Sequence, residues 1–267
     1  MKKLIIAAVL MAFGAGQALA ADIPPRPAPP PYRPPPPVEV PFSWTGFYVG
    51  LHGGGDWFRK DWFVPNTPTN VAGGCAVPGC NYSVGGHTAT SWLAGGQIGF
   101  NYQINWIVLG AEVQGSWTDI KGTNLDPAPV DPAIGFANHT RTDAVATAAA
   151  RLGLAVDRTL FFVKGGAAYA DDKFWVTTNT NPIALQSKWF NRWGWMVGGG
   201  LEYGLTQNWS VKVEYDYLDF GTKRETLPCA ASAVGCGGPF DYDIKQRIQL
   251  VKAGINYRFG GPVSARY

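Results

Sequence analysis

Charge is what this sequence has least of. Only 15% of its 267 residues are Asp, Glu, Lys or Arg, against about a quarter in an ordinary soluble domain. The formal net charge is +3, and it falls to +1 once Lys2 and Lys3 leave with the segment described below. So nearly neutral a chain carries no electrostatic footprint for nucleic acid. Long apolar runs are missing as well: past residue 20 nothing reaches the roughly 18 apolar residues of a transmembrane helix. Any membrane span must then be a closed barrel, since lipid satisfies no backbone amide or carbonyl. Histidine is rare, at 3 residues, and none stands at ligand spacing from the 4 cysteines. The clusters Gly53-Gly54-Gly55 and Gly198-Gly199-Gly200 match no phosphate-binding motif and mark close strand packing instead.

Glycine and aromatics are abundant, with 34 Gly, 11 Trp, 11 Tyr and 14 Phe. Between Trp92 and Trp117 they alternate. Trp92, Ala94, Ile98, Phe100, Tyr102 and Ile104 fall on one face, and Leu93, Gly95, Gln97, Gly99, Asn101 and Gln103 on the other. After Asn105-Trp106 the period resumes with Leu109, Ala111, Val113 and Trp117 against Gly110, Glu112, Gln114 and Ser116. A period of two over such a length is a long β-hairpin. Each arm exceeds the roughly 9 to 11 residues that cross hydrocarbon, and its apolar row ends in aromatics, as interfacial girdles do.

The N-terminus has the pattern of an export signal. Lys2 and Lys3 precede the apolar run Leu4 to Phe13, and Ala18-Leu19-Ala20 fits the small-x-small cleavage rule, so residues 1–20 are expected to be removed. Residues 21–43 form a proline-rich arm, expected to be extended polyproline II and periplasmic, either a spacer touching the cell wall or a partner, or a passive tether. Residues 44–267 then read as one barrel. Its first strand is Trp44 to Phe58, followed by the central hairpin, about Thr90 to Asp119; the later strands are about Thr140–Val156, Thr159–Tyr169, Trp189–Gly204, Trp209–Phe220 and Asp243–Phe259. Long loops (Arg59–His87, Ile120–His139, Asp171–Lys188, Thr222–Tyr242) alternate with short turns at Asn105-Trp106, Asp157-Arg158 and Thr206-Gln207-Asn208. The expectation is an all-β, eight-stranded antiparallel up-and-down transmembrane barrel, with long loops outside and short turns in the periplasm.

Several stretches resemble a known family. Trp44-Thr45-Gly46-Phe47-Tyr48-Val49-Gly50, Gly95-Gly96-Gln97-Ile98-Gly99-Phe100-Asn101, Arg151-Leu152-Gly153 and Asn256-Tyr257-Arg258-Phe259 are similar to the small outer-membrane proteins of alpha-proteobacteria, the immunogenic or opacity-type proteins of the porin family. The resemblance covers about Trp44 to Tyr267 and implies a surface-exposed barrel in the outer membrane, often described as a porin or structural membrane protein. The aromatic terminus read by the barrel-assembly machinery would be Phe259 or Tyr267.

Eight strands enclose only enough room for side chains or one small ligand. The charges predicted to point inward are Glu112, Arg151, Lys164, Glu202, Lys212, Glu214, Asp216, Lys252 and Arg258. Being of mixed sign, they serve either as a selectivity lining or as an ion-pair core that satisfies buried charge. Glu202 and Lys212 stand symmetrically about Gln207 and are expected to bond across the turn. Cys75 with Cys80 and Cys229 with Cys236 would each close a short loop as a disulfide, with metal ligation the other reading. For catalysis there are His139 before a strand and His87 near Ser91, but no acid at a fixed spacing. The sequence thus points to a non-enzymatic integral protein of the outer membrane, seated in lipid, with a structural and surface-contact role and no cofactor. A porin for small solutes and a lipid-modifying enzyme are the competing readings.

Overall fold

The computed structural model describes residues 41–65, 81–125, 135–178, 185–228 and 240–259. The signal segment, most of the proline-rich arm, all four cysteines and Tyr267 lie outside them. Eight strands run in chain order: β1 (Gly46–Pro65), β2 (Asn81–Ile104), β3 (Ile107–Leu125), β4 (Phe136–Val156), β5 (Thr159–Thr178), β6 (Leu185–Gly204), β7 (Trp209–Leu227) and β8 (Phe240–Phe259). Each pairs antiparallel with its sequence neighbours, and β1 pairs with β8 from Phe47↔Phe259 to Phe63↔Asp243, closing the barrel.

The short turns follow from local chemistry. Asn105 (φ 54°) and Asp157 (φ 51°) open two tight hairpins in the left-handed region, which Asn and Asp tolerate better than most residues. The Thr206 hydroxyl accepts the Asn208 and Trp209 amides at 3.3 and 3.0 Å and so shapes the third.

Near these turns the outward row is apolar. On β1 it runs Phe47, Val49, Leu51 and Trp57, all exposed. Its upper limit is a girdle that includes Trp57, Trp92, Trp117, Tyr169, Trp193 and Tyr217; the next outward residues are charged, Arg59 and Asp61 on β1, Asp119 and Lys121 on β3, Asp171 and Lys173 on β5. Lipid cannot accommodate such residues, so the hydrocarbon belt ends at the girdle.

All four regions between the long-loop strands are shorter than the sequence pattern predicts, because the strands continue well past the girdle: β1 reaches Pro65, β2 starts at Asn81, β7 reaches Leu227 and β8 starts at Phe240. The reason is a reversal of polarity. On β8 the inward row passes from Asn256 and Lys252 to Leu250, Ile248 and Ile244, while the outward row passes from Ile255 and Val251 to Gln249, Arg247 and Lys245. Below the girdle the outside solvent is lipid and the apolar row faces out. Above it the outside is water, and the apolar row turns inward to build a core.

Candidate functional site: the charged lumen

The nine inward charges divide into two groups. Eight form a network of four cations and four carboxylates, all buried. Lys164, Lys212 and Lys252 interleave with Glu112, Glu214 and Asp216. The Glu214 carboxylate takes Lys212 at 3.0 Å, Lys164 at 3.2 Å and Lys252 at 3.0 Å. Asp216 takes Lys164 at 3.1 Å and Lys252 at 2.6 Å, and Glu112 takes Lys212 at 3.2 Å and Lys164 at 3.4 Å. Every lysine therefore touches at least two carboxylates, which is what offsets the cost of stripping water from each charge. Amides complete the shell: Gln114 Nε2 donates to Glu112 and Glu214 at 2.7 and 2.8 Å, and Lys252 donates to Gln114 Oε1.

Arg151 and Glu202 make the fourth pair. The guanidinium donates to the carboxylate at 2.6 Å and lies 3.6 Å from the Phe162 ring centroid. The other Glu202 oxygen accepts Ser210 Oγ at 2.5 Å and Asn256 Nδ2 at 2.8 Å. Tyr48 joins this pair to the lysine cluster: its hydroxyl donates to Glu112 at 2.8 Å and accepts from Arg151 at 3.4 Å. The phenol fits because Gly99 faces it; a Cβ there would stand 2.4 Å from the ring. Arg258 stands apart, at the short-turn end, where it donates to the Gln207 carbonyl at 2.5 Å and covers the Phe42 and Trp44 rings.

One expected bond is not formed. Glu202 and Lys212 are register partners on β6 and β7 and both point inward, but Glu202 is taken by Arg151 and Lys212 by Glu112 and Glu214. Lys212 reaches Glu214 on its own strand and Glu112 on β3 across the lumen, while Glu202 turns to Arg151 two strands away and to Ser210 on β7. Each of the two register partners is therefore satisfied elsewhere.

A second buried cluster lies above the girdle, where the sequence pattern placed Lys60 and Asp172 in loops and Arg192 near the start of a strand. Lys60 Nζ is 3.3 Å from Asp172 and 4.0 Å from the Phe174 ring centroid. Asp172 also accepts Thr142 Oγ1. Arg192 donates to Gln246 at 3.2 Å and to the Ile244 carbonyl at 2.7 Å. Lys60 lies between outward Arg59 and Asp61, outside the hydrocarbon belt. Burial lowers its pKa to about 7, and Asp172 only partly opposes the shift.

These polar groups alternate with apolar layers. Along the inward row of β5 the order is Lys164, Gly166, Ala168, Ala170, Asp172, Phe174, Val176. Ala168 and Ala170 belong to one apolar cluster with Phe58, Leu218, Ile248 and Leu250, and Phe174 and Val176 to another with Trp62, Leu227 and Ile244. Trp44, Val108, Leu160 and Phe162 pack at the short-turn end. The interior is thus layered, where the sequence pattern predicts a uniformly polar one.

His139 faces outward, bonded to Thr123 and Thr177 at 3.0 and 2.9 Å. Ser91 Oγ donates to the Trp92 carbonyl at 3.3 Å. A Ser–His contact does exist at His52 Nε2 and Ser116 Oγ, 2.8 Å, but the other ring nitrogen meets the Gln97 amide oxygen in place of a carboxylate. Among the described residues no group of three or more His, Cys, Asp or Glu could hold a metal ion.

Comparison with known proteins agrees with the architecture. Residues 5–259 match the outer membrane protein beta-barrel domain family. The 31 kDa outer-membrane immunogenic protein of Brucella melitensis is 32% identical over 97% of this chain and 100% of its own length. The 25 kDa outer-membrane immunogenic protein of Brucella abortus is 30% identical over 96% of both. Among solved structures, the outer membrane protein OprG from Pseudomonas aeruginosa aligns with 82% of this chain and 99% of its own at 14% identity, with a TM-score of 0.42.

Proposed function

From the premise that the chain belongs to the outer membrane protein β-barrel domain family, we propose that it is a closed structural barrel of the envelope that does not conduct solute. It is an integral outer-membrane protein related to surface immunogens rather than to enzymes, and it requires lipid and barrel-insertion machinery. The observation that carries the non-conducting reading is the pair of apolar layers above the ion-pair network, which interrupt any column of water along the lumen. Eight of the nine inward charges then serve as a cross-braced core that ties together β3, β5, β7 and β8 and, through Arg151 and Glu202, β4 and β6.

In this reading the signal is cleaved after Ala20, and the short turns at Asn105-Trp106, Asp157-Arg158 and Thr206-Gln207-Asn208 face the periplasm with the proline-rich arm, which acts as a tether or meets the cell wall. The loops carrying Cys75, Cys80, Cys229 and Cys236 face outward and make surface contact, each stapled by its own disulfide. Planar-bilayer recording on the purified full chain tests the proposal. The expected result is no steady conductance; large, steady channels would overturn it in favour of a small-solute porin.

A further inference from the structure

Up to the girdle the strands pair on both sides, but above it the wall parts along two seams. The β2–β3 ladder stops at Leu93↔Thr118, although β2 runs on to Asn81 beside β1 and β3 to Leu125 beside β4. The β6–β7 ladder stops at Trp195↔Asp219, although β6 begins at Leu185 beside β5 and β7 reaches Leu227 beside β8. Each seam starts at a β-bulge. Thr118 and Asp119 of β3 stand opposite Asp143 alone, and Phe220 and Gly221 of β7 opposite Gln246 alone; such a bulge bends its strand out of the ladder. The outer half is therefore two four-stranded sheets, β3 to β6 and β7-β8-β1-β2, facing each other across an apolar core.

One side chain is wedged into the β2–β3 seam. His87 on β2 is the register partner of Lys60. Its ring rests on the backbone of Gly122 across the seam, where any Cβ would collide with it, and stands 5.9 Å from the Phe58 ring. Both ring nitrogens are shut off from solvent and have no hydrogen-bond partner. A neutral ring leaves one N–H and one lone pair unmet there; an imidazolium would leave two N–H groups and a charge. Its charged and titratable neighbours are Lys60 and Asp61 of β1 and His139 of β4, while β3 meets it with glycine.

We propose that His87 is an acid-released latch: its neutral ring holds the β2–β3 seam shut, and its protonation parts the two sheets there, uncovering Phe58 and the apolar layer beneath. Burial and the Lys60 charge hold the imidazole pKa down to about 4, and Asp61 opposes them only in part. A ring freed from the seam titrates near its ordinary 6.5. Between these values the open form binds more protons than the closed one, so a fall in pH favours opening, by up to about tenfold per unit. Lys60, with its pKa near 7, already carries its ammonium in that window, so the second cation arrives beside the first.

Hydrogen exchange on the folded full chain in detergent tests the latch, with the amides of residues 86–92 and 119–125 followed from pH 7.5 to 4.5 and corrected for intrinsic rates. In the wild type their protection is expected to fall by about tenfold or more between pH 6.5 and 4.5, while residues 145–150 of β4, inside the belt, keep theirs. H87Q cannot gain a charge and should lose the pH dependence. G122A, which unseats the ring, should lower protection already at pH 7.5. Nuclear magnetic resonance titration of the 3 histidines reads the ring itself, its signal identified by its loss in H87Q, with a midpoint expected near 4. A midpoint of 6 or above, flat protection in the wild type, an equal fall in H87Q, or wild-type behaviour of G122A would each overturn the proposal. Heat-modified gel mobility verifies folding, and if a variant does not fold the wild-type exchange profile decides.

Discussion

Arg151 and Glu202 are joined at 2.6 Å across a gap of one strand, from β4 to β6 over β5. Both are buried, so removal of one partner leaves an unpaired charge in a dry lumen. R151A is expected to lower stability by about 3–5 kcal/mol, whereas R151M with E202L should lose much less. Urea unfolding in detergent followed by tryptophan fluorescence reads both; a double variant as unstable as R151A would contradict the account.

The same geometry predicts an absence of coupling. Glu202 and Lys212 are register partners whose side chains go to other acceptors and donors. A double-mutant cycle with E202Q and K212Q should return a coupling below about 0.5 kcal/mol, against more than about 1.5 kcal/mol for Arg151 with Glu202. Equal couplings would mean that the pair bonds in solution.

Lys60 makes stability depend on pH. Its folded pKa, near 7, lies below its ordinary value of 10.5 because burial disfavours the charged form. Between those values the unfolded chain binds more protons than the folded one, so stability rises with pH across the window, by up to about 1.4 kcal/mol per unit. Below pH 7 the full cost of burying the ammonium is present. K60M should flatten the rise and be the more stable form at pH 6; parallel urea midpoints for the two proteins from pH 6 to 10 would refute this.

The apolar layers should act as the seal. Leu218 and Ile248 are fully buried in the lower one. L218A alone is expected to cost about 2–5 kcal/mol through the cavity it leaves. L218S/I248S should admit water and raise conductance above that of the wild type in planar bilayers. An unchanged trace from folded double variant would show that the barrier lies elsewhere.

At the first short turn Asn105 holds φ 54°. N105G should be nearly neutral and N105V should cost about 1–2 kcal/mol, because a branched Cβ crowds the backbone there. Equal unfolding midpoints for the two would show that the turn adjusts.

The membrane-facing half of the barrel was legible residue by residue. On β7 Val211, Val213 and Tyr215 face out and Lys212, Glu214 and Asp216 face in, as strict alternation implies. The outer half was not. At Phe58 and Leu218 the inward row becomes apolar, and the expected first and seventh strands end there or two residues later, because the polar lumen face that marks them is lost. Lys60 and Asp172 were missed for that reason, since a lone charge amid apparent loop sequence gives no sign that it is buried; Arg192 falls inside the expected strand Trp189–Gly204 but was not among the charges expected to point inward.

By itself the sequence determined the period, the turns and the face each side chain takes within the belt, because these depend on neighbours two residues away and on one uniform solvent. Only closure of the barrel decided that Arg151 meets Glu202 and that Glu214 gathers three lysines. Lys212 is two residues from Glu214 on the same strand, but Lys164, Lys252 and the Arg151–Glu202 pair lie dozens of residues apart along the chain, and they bond because the closed sheet brings their tips together where no water competes for the charge.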